Sequence, residues 1–120
     1  MRCFISCFAV FSSVLAIAAP AFAHARLREL SPVVDSVGAA PLEVSITFSE
    51  ALEPRFSSVV VTDATGSRVD QGGLRLVQGN AKMVAIGLKP VAPGVYAVEW
   101  HATSVDTHKT DGKFSFTVSK

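Results

Sequence analysis

The sequence predicts an all-β domain, an immunoglobulin-like Greek-key β-sandwich of about seven strands that follows a cleaved signal peptide. Three observations carry this expectation. Apolar and polar residues alternate with a period of two in Leu42-Glu-Val-Ser-Ile-Thr-Phe48 and again from Phe114 to Val118. Turn-forming residues recur at short spacing between such runs. No segment after the first 23 residues has helix-length amphipathic character.

In chain order, Leu27 to Leu30 reads as a first short strand. Leu42, Val44, Ile46 and Phe48 then share one face of a half-buried strand, with Glu43, Ser45 and Thr47 on the other. Pro54-Arg-Phe56 reads as a corner or short turn. The β-branched run Ser58 to Thr62 ends at Asp63-Ala-Thr-Gly66, a turn signal. Leu74 to Val77 and Met83 to Leu88 flank Gln78-Gly-Asn80 as a hairpin. Pro93-Gly94 opens Val95 to His101, where Tyr96, Val98 and Trp100 share a face and form core. His101 falls on the opposite face. Gly112 starts the last strand, and Asp111 before it reads as a turn residue.

The segment Met1 to Ala23 has the parts of a secretory signal: Arg2, an apolar run from Phe8 to Ala19, and Ala21-Phe22-Ala23 as the cleavage triplet. Its apolar run is shorter than the roughly 20 residues of a spanning helix. A second small-x-small triplet, Ala23-His24-Ala25, would discard His24, but the first lies closer to the apolar run. Cleavage after Ala23 leaves 97 of the 120 residues, enough for one domain with its own core. Both cysteines, Cys3 and Cys7, leave with the signal, so the mature chain has neither disulfide nor thiolate ligand. The formal charge is +1 and no block of Lys and Arg occurs, which argues against a nucleic-acid or anionic-membrane partner.

Cleavage after Ala23 would make His24 the new N-terminus. Its free amine and ring Nδ1 could then chelate one metal ion. Asp106 and His108, two residues apart, offer a carboxylate and an imidazole; in an extended segment they would project to one side. Two amine or imidazole sources and a carboxylate, without thiolate, suit tetragonal copper(II), one ion per chain. Binding should weaken as pH falls, because the amine and imidazoles ligate only when neutral. Glu50, Glu53 and Asp111 are candidate outer partners of such ligands, but each reads first as a turn residue, Glu50 and Glu53 solvated. Lys109 would lie near the site. Met83, the single methionine after the signal, reads as core, so no dedicated copper(I) site is expected. No nucleophile elbow and no phosphate-binding glycine loop is present, so neither an enzyme nor a small-molecule substrate is expected.

These residues together resemble the CopC/PcoC family of periplasmic copper-binding proteins. The resemblance covers essentially the whole mature chain. It rests on His24-Ala-Arg-Leu27, Ser31-Pro32, Pro41-Leu-Glu-Val-Ser-Ile-Thr-Phe-Ser-Glu50, Val59-Val-Val-Thr-Asp63 with Gly66, Pro93-Gly-Val-Tyr-Ala-Val-Glu-Trp100, Ser104-Val-Asp-Thr-His108 and Gly112-Lys-Phe-Ser-Phe-Thr-Val118. It implies a Greek-key sandwich and a copper(II) site on His24, Asp106 and His108. It also implies a periplasmic carrier or buffer in copper homeostasis or resistance, working beside an inner-membrane copper transporter of the CopD type. The methionine-rich loop of some members is missing, which implies a copper(II)-only form. Two other readings make different predictions. An exported interaction module would bind no copper tightly, and a copper oxidase would consume a substrate at its N-terminal histidine.

Overall fold

The computed structural model describes residues 26–120. The signal segment and His24 lie outside the described residues. The elements run β1 (Leu27–Ser31), β2 (Val37–Gly38), β3 (Glu43–Phe48), a 3-10 turn (Pro54–Phe56), β4 (Ser58–Thr62), β5 (Arg75–Val77), β6 (Asn80–Gly87), β7 (Gly94–Thr103) and β8 (Lys109–Val118). Two four-stranded sheets result, ordered β1-β3-β6-β5 and β2-β8-β7-β4. The all-β sandwich expected from the alternating runs is therefore present.

Alternation explains the packing of the sheets. Val44, Ile46 and Phe48 of β3 and Val84 and Ile86 of β6 turn inward, where they meet Val59 and Val61 of β4, Tyr96, Val98 and Trp100 of β7, and Phe114, Phe116 and Val118 of β8. The Trp100 ring meets Phe48 edge-on, with centroids 5.2 Å apart. Tyr96 stacks on Phe116 at 5.5 Å. The Tyr96 hydroxyl donates to the Ala92 carbonyl four residues upstream, the tyrosine-corner arrangement of Greek-key sandwiches.

Several boundaries differ from the expectation. An eighth strand, β2, pairs in parallel with β8 through Val37 and Gly38; a two-residue strand carries no alternation to read. The last strand begins at Lys109, not Gly112, because β7 and β8 continue as an unbroken antiparallel ladder to Thr103 and Lys109. Asp111 is therefore a strand residue opposite His101, not a turn. Gly112 lies opposite Trp100, where a Cβ would stand 2.6 Å from Trp100 Cζ2. Glycine is thus required there by the indole, not by a turn. Met83 is half-buried and pairs with Thr47, whose side chain points away from the inward-facing Ile46 and Phe48. It belongs to the outer face of its sheet instead of the core.

Candidate metal centre

The hairpin between β7 and β8 carries Asp106 and His108. Here the chain is not extended, so strand alternation does not bring the two together. Ser104 N donates to the His108 carbonyl and Thr107 N to the Ser104 carbonyl, each at 2.9 Å. Thr107 takes φ 71°, a left-handed conformation uncommon for a β-branched residue. This tight turn sets His108 Nδ1 3.2 Å from Asp106 Oδ2, with side chains 43% and 50% exposed. Convergence was expected from an i, i+2 strand, and a left-handed turn supplies it instead.

Glu50 completes the group. One ligand atom from each of Glu50, Asp106 and His108 falls within 4.8 Å of the other two. Glu50 follows β3 in the opposite sheet, and backbone contacts clamp its segment to the hairpin. Val105 N donates to the Ala51 carbonyl at 3.0 Å. Leu52 bridges Ser104. Glu53 N donates to the Thr103 carbonyl at 2.9 Å. Thr103 Oγ1 donates to the Phe56 carbonyl, and Ser57 Oγ accepts from Thr103 N. Glu53 thus serves this clamp through its backbone and does not join the three ligand atoms. Glu50 was named as a candidate outer partner but read first as a solvated turn residue; in the fold its carboxylate stands beside the hairpin ligands.

On the other side, the described chain begins against the same segment. Arg26 N donates to Ser49 Oγ at 2.8 Å, and Ser49 N donates to the Arg26 carbonyl at 2.7 Å. His101 stands apart from the group, on the exposed face of β7, with Nε2 3.4 Å from Glu99 Oε1. Lys109 opens β8 and lines a surface cleft with Phe56 and His101.

The electrostatics favour an ionised Asp106. The Ser104 hydroxyl, above all, holds this carboxyl below the usual carboxylate range, and the neighbouring His108 adds to the effect. An anionic carboxylate, a second carboxylate and an imidazole offer oxygen and nitrogen donors at one exposed rim. That donor set fits a borderline divalent ion such as copper(II) better than a soft monovalent one.

The chain is 32% identical over 99 residues to Protein YobA of Escherichia coli strain K12, a match spanning 81% of this chain and 80% of that protein. YobA of Shigella flexneri matches to the same extent. Among solved structures, CopC from Methylosinus trichosporium OB3b superposes with a TM-score of 0.73 at 32% identity, over 80% of this chain and 94% of that one. PcoC from Escherichia coli, described as a methionine-rich copper resistance protein, superposes with a TM-score of 0.69 at 33% identity, over 81% and 100%. Residues 27–119 match the CopC domain model, and the chain belongs to the CopC domain family.

Proposed function

We propose that the protein is a periplasmic copper(II) carrier or buffer, not an enzyme, and that it holds one ion per chain at the rim formed by Glu50, Asp106 and His108 with His24. The observation that carries this reading is the meeting of three ligand atoms within 4.8 Å. Arg26 is hydrogen-bonded to Ser49, the residue before Glu50, and His24 stands two positions before Arg26 in the sequence. After cleavage behind Ala23, the His24 amine and Nδ1 would add two nitrogens to the imidazole of His108. Asp106, with Glu50 beside it, would supply oxygen. The likeness to copper resistance proteins supports copper as the cargo.

Met83, alone on the outer face of β6, offers no thioether cluster, so copper(I) is not the favoured ion. Delivery to a CopD-type inner-membrane transporter is part of the proposal; it is tested by copper transfer into vesicles that carry such a transporter.

The deciding experiment is native mass spectrometry of protein exported with its own signal, loaded with copper(II) and freed of excess. The expected mass begins at His24 and retains one copper. His24→Ala, placed so that cleavage is kept, should weaken binding by at least roughly tenfold, as should Asp106→Ala. A mass beginning elsewhere, or no retained copper, would replace this reading with that of an exported interaction module.

A further inference from the structure

Ser104 is 1% exposed, yet its hydroxyl faces the one exposed carboxylate of the hairpin. It donates to Asp106 Oδ1 and lies 3.3 Å from the His108 carbonyl. The other Asp106 oxygen, Oδ2, is the one beside His108. From this division of the carboxylate we infer that Ser104 is a positioning residue for the metal centre: it anchors Oδ1 and presents Oδ2 to the ion. The inference rests on the copper reading above and adds a residue to it.

Three features favour positioning over plain structural support. The turn itself is closed by the Ser104 backbone, through its N–H to His108 and its carbonyl to Thr107. Alanine keeps both bonds, so its only loss is the hydroxyl. Second, Asp106 is half exposed, and the Ser104 hydroxyl is foremost among the groups that hold its carboxylate, ahead of His108 and the backbone N–H groups of Asp106 and His108, so it weighs most on where the oxygens point. Third, Ser104 is fixed at its place by the Leu52 bridge, so the hydroxyl approaches from a rigid base.

The test is a double-mutant cycle on the exported chain, with copper(II) affinity and the copper EPR spectrum as readouts. Ser104→Ala should weaken copper(II) by roughly tenfold or more and shift the EPR parameters. In an Asp106→Ala background the same change should cost under about threefold, since there is no carboxylate left to aim. Ser104→Ala at wild-type affinity, or an equal loss in both backgrounds, overturns the positioning role alone, provided Asp106→Ala and His24→Ala each weaken binding. If those two also leave affinity unchanged, the copper site itself is wrong and the inference falls with it. Should Ser104→Ala fail to fold, Ser104→Thr keeps the hydroxyl and should bind within about threefold of wild type. A folded threonine variant that loses tenfold overturns the inference.

Discussion

Asp70 does at one position what neither sheet can do alone. Its carboxylate is fully buried and accepts from Val61 N in β4, from Gly72 N and from Arg68 Nε, at 2.8 to 3.0 Å. Its backbone bridges Leu88 just beyond β6, so a single residue ties the two sheets together across the β4–β5 crossover. Burial pushes its pKa up, but the Arg68 guanidinium and the two backbone N–H groups outweigh that and hold it below the ordinary value of 3.8. A carboxyl whose folded pKa is depressed contributes stability that is present above the unfolded pKa and lost as pH falls through the folded one. Asp70→Ala should therefore cost about 2 kcal/mol or more at pH 7, because the Val61 N–H is left buried without an acceptor. In urea titrations at pH 7 and at pH 3, the gap between variant and wild type should narrow at the lower pH. A constant gap would mean that ionisation of Asp70 adds nothing to the fold. Nothing in the sequence singled out Asp70, since an Asp between strands reads first as a turn residue. Arg68 and Gly72 are local, two residues away, but Val61 of β4 and Leu88 beyond β6 reach Asp70 only in the finished sandwich.

The β7–β8 ladder explains both what was legible in the strands and what was not. The inward set Tyr96, Val98 and Trp100 was readable because burial of one sheet face enforces a period of two. The start of β8 was misplaced because glycine was taken as punctuation. Gly112 is instead the cross-strand neighbour of Trp100, and its missing side chain makes room for the indole. Trp100 is 5% exposed, and its ring is held edge-on against Phe48. Gly112→Ala should accordingly destabilise the domain by about 1–3 kcal/mol through overpacking, measured by urea unfolding, with a loss of near-ultraviolet tryptophan dichroism. Substitution without cost would place the Trp100 ring elsewhere. The hairpin beyond the ladder shows the opposite case. Asp106 and His108 were identified as a pair, but the left-handed Thr107 that joins them follows no residue preference that a sequence pattern could display.

At the scale of the molecule, the candidate centre joins segments from both sheets. Glu50 follows β3 of one sheet, while Asp106 and His108 belong to the β7–β8 hairpin of the other. Sequence order alone reaches only the local pair, because pairing across the sandwich depends on the clamp of Ala51, Leu52 and Glu53 against Thr103 to Val105. An ion gripping both sides would act as a cross-link that exists only in the folded state, and so would bind the native form and not the unfolded chain. Such linkage stabilises by about 2.7 kcal/mol at a free concentration 100 times the dissociation constant. For a domain of this size that corresponds to a rise in Tm of roughly 10 °C or more. Glu50→Gln separates the two sides chemically while leaving the apo core untouched: its apo Tm should match wild type, and the copper-induced rise should be smaller. His24→Ala should likewise leave the apo Tm in place and cut the rise by about half or more. If copper raises the Tm of the Glu50→Gln variant as much as that of wild type, the ion is held by the hairpin and the N-terminus alone, and the β3 side of the rim is a bystander.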